Sequence, residues 1–165
     1  MAGFVQSTLN GLMMGSLYGL IALGLSLVFG VMKIINFAHG ALLMVGMFTA
    51  YWLWFYTNIN PYLLILLSVP ILFFFGYYLQ HILINPLLRK AGGKKAHSVI
   101  LMTSGLVLVL ENLALFAFGP NYRMARTIVS GTTFKLGEVI VSQPRFYAAL
   151  ISIVAIVGLH LFLTR

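Results

Sequence analysis

Cysteine is absent from this 165-residue chain, and its acidic residues number two, Glu111 and Glu138. Without cysteine there is no disulfide framework, no thiol nucleophile and no Cys-based metal site. The four histidines, His39, His81, His97 and His160, show no close pairing of the HExxH kind, so no metal site is expected. Nor is there a glycine-rich phosphate-binding loop, and no cofactor is expected. Charge of either sign is missing from residues 1–32 and again from 34–88, and only 7% of the chain is charged. Soluble domains carry about a quarter charged residues. A water-exposed surface cannot be built from this composition.

What is present is apolar length, with 61% of the residues hydrophobic. A bilayer core takes roughly 20 apolar residues per helix. The runs do not alternate as membrane strands would. The expected fold is therefore all-α, a polytopic transmembrane bundle of about five spans. They are read at residues 9–31, 37 or 41 to 57, 62–84, 98–118 and 146–163. The formal net charge of +8 does not indicate nucleic acid, because the basic residues sit between apolar runs and form no basic helix face.

The punctuation between spans is legible too. Asn58-Ile59-Asn60-Pro61 reads as a tight turn, and Asn85-Pro86 as the end of the third span. Pro70, inside that span, removes a backbone donor and predicts a kink. Gly119-Pro120 stops the fourth span. In the long polar segment 121–144, Phe134-Lys135-Leu136 and Val139-Ile140-Val141 flank Gly137-Glu138 and predict a small β-hairpin.

Five spans put the termini on opposite sides. Nothing positive precedes the first run, which ends on Lys33, unlike a secretory signal. Arg89, Lys90, Lys94 and Lys95 crowd the short loop 86–97, which marks it as cytoplasmic together with Lys33 and Arg165. The N-terminus, the 58–61 turn and the long segment are then external. The long segment is basic as well, through Arg123, Arg126, Lys135 and Arg145, but longer loops translocate more easily.

Three features carry candidate function. Gly11, Gly15 and Gly19 recur every fourth residue, with Gly24 beyond them. A stripe bare of side chains lets another backbone come close, either within the chain or at a subunit seam. Packing within the chain is the plainer reading. Second, Ile35-Asn36-Phe37-Ala38-His39-Gly40 interrupts two apolar runs. Asn36 can cap a helix start by accepting a backbone N–H two or three residues on. It is either a capped turn at the membrane face or a broken helix end bordering a pathway, with His39 and Gly40 beside it. Third, Glu111-Asn112 lies near the middle of the fourth span. A carboxylate there costs at least ~2.5 kcal/mol on the lenient insertion scale. It is expected to face the bundle interior, to be protonated, or to have a partner, for which Asn112, a serine hydroxyl or a backbone group could serve. It serves as a neutral hydrogen-bonding acid or as a group on the substrate path.

The segment Gly15-Ser16-Leu17-Tyr18-Gly19 through Leu23-Gly24-Leu25-Ser26-Leu27-Val28-Phe29-Gly30, followed by Asn36-Phe37-Ala38-His39-Gly40, resembles the N-terminal signature of branched-chain amino-acid ABC transporter permeases. The likeness continues through Asn85-Pro86-Leu87-Leu88-Arg89, then Ser104-Gly105-Leu106, Glu111-Asn112-Leu113 and Phe118-Gly119-Pro120. It implies an inner-membrane importer subunit working with a second homologous permease, cytoplasmic ATPase subunits and a periplasmic solute-binding protein, surrounded by membrane lipid. The cargo it implies is leucine, isoleucine, valine or a similar small amino acid, with urea or short amides as the alternative. It also places residues 36–40 at the start of the family's second core helix. Two departures stand out. The family usually has glutamine where this chain has Glu111. Family members also continue beyond the equivalent of Arg165 with a loop that docks on the ATPase and further spans, so the chain is expected to be the N-terminal half of such a permease, a single permease domain. Two other readings compete: a structural membrane fragment without transport, and an intramembrane enzyme built on His39 and Glu111. The enzyme would need those two side chains within hydrogen-bond reach.

Overall fold

The structure is a computed structural model that describes residues 2–33, 36–90, 95–125, 130–136 and 139–164. The expectations that fall on Ile35, Lys94, Arg126, Gly137, Glu138 and Arg165 lie outside the described residues. The described chain is all-α apart from one two-stranded sheet. In order it forms α1 (Ala2–Met32), α2 (His39–Thr57), α3 (Pro61–Leu79), a π-helical turn (Gln80–Ile84), α4 (Asn85–Lys90), α5 (Lys95–Phe118), β1 (Thr133–Leu136), β2 (Val139–Ser142) and α6 (Gln143–Thr164). Five helical stretches are long and apolar enough to cross a membrane: Gly3–Val31, His39–Thr57, Pro61–Arg89, His97–Phe118 and Gln143–Thr164. The expected number and order of spans stand, and the boundaries move by a few residues.

The chain divides into two compact units, residues 1–27 with 126–165, and residues 28–125. In the first, α1 begins at Ala2 rather than at residue 9, because residues 2–8 contain neither proline nor charge to stop it. Its 31 residues measure about 46 Å at 1.5 Å each, more than the roughly 30 Å hydrocarbon core. The surplus N-terminal turns carry Gln6. The Gln6 side-chain amide donates to the Ile140 carbonyl (2.5 Å) and accepts from the Ile140 N–H (2.7 Å). It fills the free edge of β2 as a neighbouring strand would. The predicted hairpin is present, antiparallel, with Phe134 opposite Val141 and Lys135 opposite Ile140. Its base is closed by Thr132 Oγ1 donating to Gln143 Oε1 at 2.8 Å and by Gln143 N–H donating to Thr132 O at 3.2 Å. Met13, Val141 and Ala149 form a small buried core, flanked by Leu9 and Val139.

In the second unit α2, α3 and α5 pack on one another. The 58–61 turn forms as its residues require. Asn58 adopts a left-handed conformation (φ 53°) and donates to Trp54 O, a helix-ending geometry that asparagine tolerates. The Asn60 side chain then accepts from Tyr62 N–H at 3.1 Å, and Pro61 occupies the first turn of α3, where its missing N–H costs nothing. α3 runs through Pro70 without ending.

Asn85-Pro86 does not end the third span, contrary to the sequence reading. The helix widens to a π-turn at Gln80–Ile84, where Asn85 N–H donates to Gln80 O, and continues as α4 to Lys90. Proline lacks an N–H and its ring crowds the carbonyl four residues back. Widening the preceding turn relieves both problems. The Gln80 side chain secures it by donating to Asn85 Oδ1 at 3.2 Å. The loop expected over 86–97 is thereby shortened, since α5 begins at Lys95.

Candidate functional site

The 36–40 turn belongs to the second unit and is built from three hydrogen bonds. Asn36 Oδ1 accepts from Ala38 N–H at 3.0 Å, two residues on, and Asn36 O accepts from His39 N–H at 3.4 Å. Asn36 thus shapes an Asx turn ahead of the helix and does not itself cap it. Ala38 holds the capping position, with no side-chain bond, and α2 starts at His39. The third bond ties the turn to α5: Phe37 N–H donates to Thr103 Oγ1 at 3.4 Å. Thr103 is fully buried, and its own hydroxyl proton goes to Val99 O at 2.9 Å or Ile100 O at 3.2 Å. Ala38 is likewise at 0% exposure, and Ala41 is buried. No large side chain fits at either position. The turn is a close approach of backbone to α5, and Thr103 is the residue that sequence reasoning missed. Its signal was faint, a lone hydroxyl on an otherwise apolar helix face.

His39 is half-buried, and its Nε2 is covered without a hydrogen-bond partner among the described residues. Such an orphan costs on the order of 1–3 kcal/mol. Gly40 is exposed, with open space where a Cβ would lie.

Glu111 does not face the interior of its unit, and Asn112 is not the partner that the sequence reading offered it. Their side chains are exposed. Asn112 Nδ2 turns back onto its own helix, donating to Leu108 O at 2.7 Å, and is not a partner for Glu111. Among the described residues Glu111 has no hydrogen-bond or ion-pair partner. The reason is rotational. Val99, Thr103 and Leu110 are the buried positions of α5, and at 3.6 residues per turn Glu111 falls well outside their face. It also lies eight residues, about 12 Å, along α5 from Thr103, which holds the 36–40 turn. Neither His39 Nε2 nor Glu111 has a partner among the described residues, so the hydrogen-bonded pair that the enzyme reading requires is not formed there.

The glycine stripe of α1 also departs from expectation. A methyl group placed on Gly11 or Gly15 would meet nothing within 4 Å, and only Gly19 of the three has a neighbour there, Ile156 Cδ1 at 3.8 Å. Among the described residues of its own unit nothing packs on Gly11 or Gly15, and Gly24 is half-buried. The close glycine contact of the second unit lies elsewhere, at Gly46 against Leu72 Cδ1 at 3.4 Å.

A second feature escaped the sequence reading. An open, mostly apolar cavity of about 720 Å³ lies among α2, α3 and α5, with Trp52, Phe75, Leu110 and Phe118 in its wall. At one edge Arg123 sets its guanidinium 5.4 Å from the Trp52 ring centre and 5.7 Å from that of Tyr51, and donates to Phe118 O at 2.8 Å. Trp52 and Phe118 are in ring contact at 5.4 Å, and Trp52 Nε1 is covered without a partner among the described residues. The aromatic run from Tyr51 to Tyr56 was the available signal, an interfacial belt gathered at the end of a span.

The sequence is similar to permease components of transport systems. The sequence model of the family described as branched-chain amino acid transport system / permease component matches residues 7–165. The high-affinity branched-chain amino acid transport system permease protein BraD of Pseudomonas aeruginosa is 28% identical over 175 residues, covering 98% of this chain and 55% of BraD. The permease protein LivH of the same description from Escherichia coli K12 is 44% identical over 48 residues, 29% of this chain and 16% of LivH. LivH of Salmonella typhimurium matches with the same figures. The chain thus spans about half the length of BraD. No solved structure matches.

Proposed function

Because the chain belongs to the family of branched-chain amino acid transport system permease components, we propose that it is a membrane part of an ABC importer for leucine, isoleucine, valine or a similar small amino acid. The observation that carries this is the family match running through residues 7–165, across all five span-length helices in order. The chain supplies the membrane path. ATP hydrolysis belongs to separate cytoplasmic ATPase subunits, cargo delivery to a periplasmic solute-binding protein, and the other side of the path to a second homologous permease. The chain corresponds to the N-terminal half of a family permease. BraD, which it covers to 55%, supports that extent.

The location is the inner membrane, with the N-terminus external and Arg165 cytoplasmic. The Gln6–Ile140 pairing supports part of this, because it joins the start of α1 to the hairpin of the long segment on one side. Absence of cysteine makes the orientation testable. Ser7→Cys is expected to react with a membrane-impermeant maleimide from outside the cell, and Lys95→Cys only after permeabilisation. The reverse pattern would invert the assignment.

Asn36, His39 and Gly40 border the path in this reading. Two features support them: the turn is pinned to α5 through Thr103, and among the described residues His39 Nε2 has no partner, which a moving group or cargo would supply. Glu111 and Asn112 are exposed in the second unit. The deciding experiment is deletion of the gene in its own host, with uptake of labelled leucine, isoleucine and valine measured beside urea and short amides. Loss of the amino-acid uptake, restored by the intact gene, is the expected result. Loss of urea uptake alone would move the cargo to amides. Unchanged uptake of every solute, in a strain without a duplicate system, would leave a structural membrane protein.

A further inference from the structure

The apolar cavity of the second unit carries a charge at its edge. Its volume is about 720 Å³, and its walls come from α2, α3 and α5, all within residues 28–125. Cavities of roughly 300–1,000 Å³ are the size that holds small ligands. Just past the end of α5, Arg123 is held beside the cavity's aromatic rim in two ways. Its guanidinium lies over the Trp52 and Tyr51 rings, and it donates to Phe118 O at 2.8 Å. Phe118 is fixed in turn by stacking on Phe48, with ring centres 4.5 Å apart. A guanidinium has five N–H donors. Among the described residues Arg123 makes that one hydrogen bond and no ion pair.

A fixed cation beside an apolar hollow suits a ligand with an anionic head and a long apolar body. An amino acid fits poorly, because its ammonium group would meet no carboxylate: no Asp or Glu lines the cavity. Phosphate fits well, since the planar fork of arginine grips two of its oxygens at once. The depth agrees. Tyr51, Trp52, Trp54 and Tyr56 crowd the end of α2, and aromatic belts of this kind lie at the level of lipid headgroups. Nor can the helices of the first unit supply the anion, for neither α1 nor α6 contains an acidic residue. Ten Lys and Arg against two Asp and Glu leave cations that only anions from outside can balance.

We infer that the cavity among α2, α3 and α5 seats an acyl chain of an anionic membrane phospholipid, whose phosphate is gripped by Arg123 at the rim. The two parts divide the work. A lipid tail gains little by leaving other tails for an apolar wall, so the cavity fixes where the tail lies. The guanidinium then decides which lipid is held. A free phosphate would use Arg123 and ignore the cavity, and a neutral lipid would do the reverse. The inference concerns lipid and not cargo, so its test uses no uptake assay and its failure leaves the importer reading as it stands.

The test is photolabelling in the host's own membranes. Phosphatidylglycerol with a diazirine in one acyl chain is compared with diacylglycerol bearing the same chain. Phosphatidylglycerol adducts are expected to concentrate on the α2 and α5 peptides that line the cavity, and diacylglycerol adducts are not. Arg123→Ala is expected to lower that yield about tenfold, one decade in association constant. Arg123→Lys, which keeps the charge, should retain most of it. Ala114→Phe, which fills the cavity, should remove the adducts there, and Thr49→Leu replaces it if the first variant does not accumulate. Labelling near the exposed Phe73 and Phe74 of α3 is the internal control and should stay constant. Equal labelling by diacylglycerol, a yield that ignores Arg123→Ala, or displacement by inorganic phosphate would each overturn the assignment. A last probe exploits the absence of cysteine. Ala117→Cys, coupled to a benzophenone maleimide and irradiated, is expected to capture lipid. Capture of residues 1–27 or 126–165 instead would show the chain's own first unit filling the cavity, and the inference would fall.

Discussion

The 36–40 turn and the Glu111-Asn112 pair both interrupt apolar sequence, and both belong to the unit of residues 28–125. At the turn most polar groups find partners inside the chain: Asn36 takes the Ala38 N–H, and Thr103 takes the Phe37 N–H across to α5. At the pair only Asn112 is satisfied, by its own helix, and Glu111 has no partner among the described residues. The first place is closed by short range and burial. The second is exposed, with Glu111 unpaired among the described residues. A polar residue in a membrane helix therefore has two distinct meanings, and the burial of its neighbours tells them apart.

That contrast breaks most readily at Ala38, which has no exposed surface. Ala38→Leu forces an isobutyl group between the turn and α5, and overpacking of this kind costs about 3 kcal/mol. The purified protein in detergent is expected to show the largest fall in thermal unfolding midpoint of the variants here. Thr103→Val follows. It keeps the volume and strands the Phe37 N–H, a loss of about 2 kcal/mol for a covered donor. Hydrogen exchange at Phe37 should rise while α3 amides stay protected. If Phe37 exchanges no faster, Thr103 is not what holds the turn. Asn36→Ala is a smaller change, about 1 kcal/mol, the typical cost of removing a local side-chain bond to a helix start. Faster exchange of the Ala38 amide is its expected signature.

The legible and illegible parts of this protein divide along the same line. Spans could be read because the cost of burying charge in lipid writes itself into composition, as in the uncharged stretch 34–88. The 58–61 turn and the 133–142 hairpin were legible because asparagine, proline and alternation act over a few residues. Asn85-Pro86 misled because proline's local rule was relieved by a π-turn five residues earlier, a backbone adjustment that no residue announces. Thr103 was invisible because its partner is 66 positions away. Glu111 was assigned inward on cost alone. Cost says that a carboxylate must be covered, but not by which chain. Glycine spacing in α1 was the louder packing signal, yet Gly11 and Gly15 meet nothing within the described chain.

The smallest expected effect sharpens the comparison from its other side. Glu111→Leu removes a carboxylate that supports nothing in the described chain, so the purified chain alone should change by no more than about 0.5 kcal/mol, the range of surface substitutions. In a detergent micelle the leucine would even be the better neighbour, since the exposed glutamate gains nothing from apolar tails. Thr103→Val, on the buried side of the same helix, should cost several times more in the same measurement. The two variants therefore form an internal control with similar helix propensities outweighed by location. If Glu111→Leu destabilised the isolated chain as strongly as Thr103→Val, Glu111 would have a partner inside it.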